Sequence, residues 1–127
     1  MNAPPLQLKV ALVTTMYELL DTTEHKSIGS KTRLGGGPNT PEVIGTVRSH
    51  RPDLFAKNPR GKLVLVETVT NEDMKDLDKL KDKLYLFYTA SQCYGWDFHL
   101  ACFAGLAVHL KHFCKKNEIR YSKIWTL

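Results

Sequence analysis

An α/β (α+β) fold, one mixed sheet with a central hairpin flanked by helices in the order αβββαβαβ, is predicted by three features of the sequence. Apolar residues recur at steps of three and four over residues 6–21 and again over 72–88, the periodicity of helices that bury one face. Two apolar runs, Pro52 to Ala56 and Lys62 to Thr70, flank Asn58-Pro59-Arg60-Gly61, whose turn-forming residues join them as a hairpin. Beyond them come a strand, a helix and a last strand, all within a length suited to one domain spanning residues 1–127.

Taken in order, Leu6, Val10, Val13, Tyr17 and Leu20 form the apolar stripe of the first helix, and Pro4 and Pro5 mark its start. Residues 24–34 alternate loosely as a strand and lead into Gly35-Gly36-Gly37-Pro38-Asn39-Thr40-Pro41, which reads as a long, mobile loop. The run from Lys62 to Thr70 is the strongest strand. Leu63, Leu65, Glu67 and Val69 point one way and Val64, Val66, Thr68 and Thr70 the other, so both faces are largely apolar and the strand is expected to be central. An acid in its second half therefore requires an explanation.

Asn71 can cap a helix over 72–88 with Met74, Leu77, Leu80, Leu84 and Tyr88 inward and Glu72, Lys75, Asp76, Lys79 and Lys83 outward. Trp96 to Phe103 then reads as a strand, 104–116 as a helix and Ile119 to Leu127 as a short closing strand.

With 43% hydrophobic and 24% charged residues the chain has the composition of an ordinary globular domain, which excludes collagen, disorder and small disulfide scaffolds. No apolar run reaches membrane-spanning length, and the opening Met-Asn-Ala-Pro-Pro lacks the order of a signal peptide, so a cytoplasmic protein is expected. Cys93, Cys102 and Cys114 fit neither a disulfide framework nor a zinc site and are read as buried thiols. His109, His112 and Cys114 on one helix do not converge as tetrahedral zinc requires. The net charge is +5, and residues 24–60 carry seven Lys and Arg against three acids, which makes that segment a candidate anion-facing surface.

The chemistry-bearing residues are Arg51-Pro52-Asp53 and, across the hairpin, Val66-Glu67-Thr68-Val69-Thr70. An Asp at the start of one strand and a Glu in its neighbour can share a hard divalent cation, with a backbone carbonyl and waters completing the shell. The same two carboxylates can equally form a structural ion-pair arrangement with Arg51 or Arg48.

Pro52-Asp53, the hairpin and Glu67-Thr68-Val69 resemble the motif of the PD-(D/E)xK superfamily, the restriction-endonuclease-like nucleases. The stretch from Ile44 to Glu67 is similar to small bacterial and phage members, and the resemblance covers residues 6–103. It implies a restriction-endonuclease-like sheet and a metal-dependent nuclease that hydrolyses DNA phosphodiester bonds, with Asp53 and Glu67 holding Mg2+ or Mn2+. The family's lysine, two positions after the Glu, is Val69 here. Either the missing ammonium has moved to the following helix, where Lys81 is the candidate at the edge of the apolar arc, or the chain is a catalytically degenerate relative that binds DNA or a protein. Lys81-Asp82-Lys83-Leu84-Tyr85 is also similar to a Gln-x-x-x-Tyr element of some members.

Glu18 stands where the family often places a further carboxylate on the first helix, although it lies off the apolar stripe. Lys31, Arg33, Arg48 and Arg51, with His50, precede or flank the site and are expected to hold a DNA backbone through charge-assisted bonds; ordinary solvated charge is the alternative. A homodimer or a partner protein is attractive, because a duplex has two strands to cut and the chain has no separate recognition domain.

Overall fold

The structure, a computed structural model, describes residues 5–127. Helix α1 (Pro5–Thr22) is followed by strands β1 (Lys26–Ser30), β2 (Leu54–Lys57) and β3 (Leu63–Thr68). Helix α2 (Leu77–Tyr94), strand β4 (Asp97–Cys102), helix α3 (Ala107–Lys116) and strand β5 (Lys123–Thr126) complete an α+β chain. The five strands form one mixed sheet in the order β1-β2-β3-β4-β5. The first two pairings are antiparallel; β3–β4 and β4–β5 are parallel, with α2 and α3 as the crossovers that parallel neighbours need.

The hairpin turn forms because Asn58 accepts, through its side-chain oxygen, from the backbone N–H groups of Arg60 and Lys62, while Gly61 takes a positive φ of 85°. Strand β3 is central and apolar on both sides. Val64 and Val66 pack with Leu54, Ala101 and the α1 residues Met16 and Leu20. Leu65 and Val69 pack on the other side with Leu80, Leu84 and Phe87 of α2 and Leu110 of α3.

Both amphipathic helices are rotated from the phase that the sequence suggests. In α1 the wholly buried residues are Leu12, Met16 and Leu20, whereas Leu6 and Val10 are exposed. The sheet selects the stripe that runs back from Leu20 through Leu12, and the residue one turn further along it is Lys9. Pro5 opens the helix; Pro4 lies outside the described residues.

In α2 the buried residues are Leu80, Leu84, Phe87, Ala90 and Ser91. This helix starts later than a cap at Asn71 implies. The carboxylate of Asp73 accepts from the Thr70 N–H at 2.8 Å and holds a 3-10 turn over Asp73–Lys75, and Asp76 then caps α2 by accepting from the Lys79 N–H at 3.1 Å. Gly95 ends it in the left-handed conformation.

The segment expected to be a mobile loop is tied to the sheet. The Ser30 N–H donates to the Pro38 carbonyl, the Leu34 N–H to the Ser30 hydroxyl, and the Arg51 guanidinium to the Thr40 carbonyl. Gly29 permits this: a Cβ there would lie 2.9 Å from the Asn39 carbonyl oxygen. Cys102 and Cys114 are buried thiols, and burial pushes Cys114 up to about 12, whereas Cys93 is exposed on α2 because its position falls off the inner stripe. Among the described residues no helix is long and apolar enough to cross a membrane.

On the α1 side of the sheet, His99 of β4 is buried and its Nδ1 accepts from the Trp125 indole N–H at 3.2 Å. Burial lowers its pKa to about 4, with Lys123 and His25 adding to the effect against Asp97. A base with a depressed folded pKa contributes stability that is complete above its unfolded value and is lost as the pH falls through the folded one. Denaturant titrations should therefore show stability falling between pH 6.5 and about 4, by up to roughly 3 kcal/mol from this group. The His99→Gln variant, which keeps an acceptor for Trp125, should have a flatter profile across that window.

Candidate functional site

Asp53 is the residue just before β2, and the antiparallel register that pairs Leu54 with Val66 sets it beside Glu67 in β3. Both side chains are buried, Asp53 at 4% exposure and Glu67 at 0%. Glu67 Oε1 accepts from the Asp53 backbone N–H at 2.9 Å. Asp53 Oδ2 accepts from the Thr68 N–H at 3.0 Å and from the Thr68 hydroxyl at 2.6 Å. The two carboxylates that the motif singles out are thus locked together by the hairpin's own backbone.

Burying two acids at one place requires nearby positive charge, and three lysines supply it from three elements. Lys83 of α2 brings its Nζ to 2.7 Å from Glu67 Oε2. Lys9 of α1 lies 3.0 Å from Asp53 Oδ2 and 3.2 Å from Asp73 Oδ2, and it also donates to the backbone carbonyl of Thr68. Lys31, just after β1, stands 3.6 Å from Asp53 Oδ1 and is partly exposed.

The cluster is therefore three ammonium groups against Asp53, Glu67 and Asp73. Burial works against ionisation of Asp53, but Lys9, Lys31 and the Thr68 hydroxyl outweigh it and hold the carboxyl well below the usual range. Burial and the adjacent Asp53 charge push Glu67 the other way, up to about 7, with Lys83 opposing. Lys9 and Lys83 lose hydration, yet the carboxylates around them hold both above the ordinary lysine value.

Lys81, the residue expected to reach Glu67, does not. It is exposed and lines a separate cavity with His109 and His112. The reason is the helix phase: Lys83 lies three residues after Leu80 and four before Phe87, on the buried stripe, while Lys81 is turned away from it. Val69 is itself wholly buried in the core with Leu80 and Leu84, and the ammonium beside Glu67 is that of Lys83 from α2.

Glu18 is exposed, and among the described residues it forms no ion pair with the cluster. Arg33 and Arg48 are exposed, whereas Arg51 is committed to the loop through the Thr40 carbonyl and lies 3.5 Å from Glu42. His50 is paired with Asp82 of α2 at 3.0 Å. A cavity of about 240 Å³, lined by Val10, Val13, Thr14, Lys31, Leu34 and Asp53, opens beside the cluster.

Lys9, Asp73 and Lys83 escape a reading of the motif alone. The signal for Lys9 and Lys83 is phase: each is a lysine on the stripe that the sheet buries. Asp73 sits in a turn whose geometry only the fold sets. No family model, curated protein or solved structure matches the chain.

Among the described residues no three His, Cys, Asp or Glu side chains converge as a metal-binding group. The donors around the Lys9 ammonium are nevertheless all oxygens, two from carboxylates and one from a backbone carbonyl, the hard donor set that Mg2+ or Mn2+ takes. The Lys9 ammonium itself lies among these three oxygens.

Removing Lys83 should leave Glu67 buried without its partner. Lys83→Met is expected to destabilise the fold by about 3–5 kcal/mol at pH 8, whereas Lys81→Met stays within about 0.5 kcal/mol. A carboxyl whose folded pKa is raised takes up its proton more readily in the folded chain, so the deficit should shrink as the pH falls below 7. Chemical denaturation of both variants at pH 8 and pH 6 measures it.

Proposed function

We propose that the chain is a restriction-endonuclease-like, metal-dependent phosphodiesterase acting on DNA. The observation that carries the reading is the Lys83 ammonium 2.7 Å from Glu67 Oε2, beside the paired Asp53. It supplies, from α2, the cationic group that the motif lacks at Val69. The succession of a helix, three antiparallel strands, a helix and a strand parallel to β3 supports the same reading.

Asp53, Glu67 and the Thr68 carbonyl would hold Mg2+ or Mn2+. The metal, when bound, lowers the pKa of a water and offsets the charge that builds on the phosphoryl oxygens. Glu67 fixes Lys83 by charge and geometry, and its ammonium is placed to orient water and to stabilise developing negative charge. Lys31, partly exposed at the mouth of the site, can grip the scissile phosphate, and Arg33 and Arg48 can bind neighbouring phosphates without reading sequence. Arg51 serves by holding the loop that carries Asp53. A second copy of the chain would serve the second strand of a duplex, and a cytoplasmic location suits such a substrate.

A second reading, a non-catalytic DNA- or protein-binding module, is favoured by one observation: the carboxylates are already matched by three lysines. Cleavage of supercoiled plasmid and single-stranded DNA in Mg2+ or Mn2+ separates the two. Wild type and Lys81→Ala should cut, while Glu67→Ala and Lys83→Ala should fall by at least about 100-fold. Cleavage retained in Glu67→Ala removes the site assignment; DNA binding without cleavage by the wild type selects the binding module.

A further inference from the structure

We infer that Lys9, seated among the oxygens of Asp53, Asp73 and Thr68, is a tethered cation that competes with a divalent metal for the two that it would share with it, Asp53 Oδ2 and the Thr68 carbonyl. This rests on the nuclease reading for the identity of the metal, but the cage itself is a matter of geometry. A lysine ammonium has three N–H donors, and Lys9 has three oxygen partners: Asp53 Oδ2 at 3.0 Å, Asp73 Oδ2 at 3.2 Å and the Thr68 carbonyl. Two of these contacts are hydrogen bonds, to the Thr68 carbonyl and Asp73 Oδ2, and the third is an ion pair with Asp53 Oδ2; all three oxygens belong to groups that ligate hard cations.

The cage is built rather than casual. Asp53 Oδ2 is fixed by the Thr68 N–H and hydroxyl, and Asp73 Oδ2 by the Thr70 N–H at 2.8 Å and its hydroxyl at 3.1 Å. Glu67 lies outside it: its Oε1 accepts from the Asp53 N–H, and its fully buried Oε2 has no aligned hydrogen-bond donor and faces the Lys83 ammonium of α2. Two of the cage oxygens come from the end of β3 and the turn after it, and the third precedes β2, so none of them belongs to α1.

Lys9 is held differently. It reaches the cage from the first turns of α1, where the neighbouring Leu6 and Val10 are exposed, and its own side chain keeps 24% of its exposure. An ammonium on a flexible four-carbon stem can leave a site that backbone-anchored oxygens cannot. The metal and the ammonium cannot both be bound by Asp53 Oδ2 and the Thr68 carbonyl, so the metal enters only as Lys9 swings out. The lysine keeps the carboxylates compensated in the absence of metal and raises the metal concentration at which the site fills.

The test is binding of Mn2+ alone, followed by loss of the free-ion paramagnetic resonance signal and by thermal melting with and without the metal. The proteins are wild type, Lys9→Ala, Lys9→Gln and Lys9→Ala with Asp53→Asn. The Lys9 variants should bind Mn2+ about tenfold or more tighter than wild type and gain more thermal stability from it, and adding Asp53→Asn should abolish the gain. Lys9→Gln, which keeps neutral donors in the cage, reports if Lys9→Ala folds poorly. A Lys9→Ala that folds only with Mn2+ also supports the inference.

Equal Mn2+ affinity in wild type and Lys9 variants overturns the competition and leaves the nuclease reading to be judged by Glu67→Ala cleavage. A folded Lys9→Gln that binds no Mn2+ overturns the cage as a cation site. Failure of both single variants to fold even in millimolar Mn2+ overturns it as well, since a fitting cation would restore the lost charge.

Discussion

The buried pairing of Asp53 with Glu67 is the constraint around which the other elements are placed. Each carboxylate withdrawn from water costs several kcal/mol, and the attraction of a partner offsets this only where geometry and hydrogen bonding are close to ideal. The hairpin cannot meet that requirement alone. It contributes the Asp53 and Thr68 N–H groups and the Thr68 hydroxyl, which satisfy lone pairs but bring no net charge. The positive charge must come from elsewhere, and it comes from both layers that cover the sheet.

That division follows from the alternation of β3. Glu67 shares its face with Leu65 and Val69, the face covered by α2, and is therefore met by Lys83. Asp53 turns toward the Thr68 amide at the strand end, where α1 and the loop after β1 can approach, and is met by Lys9 and Lys31. The cluster thus ties helix α1, helix α2 and the β1 loop to the β2–β3 junction. Apolar packing on two independent faces, Met16 and Leu20 on one and Leu84 and Phe87 on the other, holds the helices in the rotation that brings these charges together.

Much of the fold was legible in the sequence because its signals are local. The hairpin follows from Asn58 to Gly61 and the flanking apolar runs, and the centrality of β3 follows from its having no polar face. The pairing of Asp53 with Glu67 was legible for the same reason, since a tight turn leaves little freedom of register. Helix phase was not. The apolar residues of α1 admit more than one stripe: Leu6, Val10, Val13 and Tyr17 compete with Leu12 and Met16, and the lysine that belongs to the inner face changes with the choice. In α2 the start at Leu77 rather than near Asn71 depends on Asp73 being drawn into the turn with Thr70 and Lys9, a contact 64 residues away in sequence for the lysine.

The sequence by itself therefore determined the elements, the hairpin register and the two carboxylates that it brings together, because each depends on residues close along the chain. Tertiary structure decided which lysines complete the site. Lys81 and Lys83 differ by two positions on one helix, and only the packing of Leu80, Leu84 and Phe87 on the sheet determines that Lys83 faces Glu67. Lys9 is placed by the same principle on the opposite face, where the burial of Leu12, Met16 and Leu20 turns its ammonium into the oxygens of Asp53, Asp73 and Thr68. A side chain's direction on a helix is set by what the helix packs against, and that surface exists only once the sheet has formed.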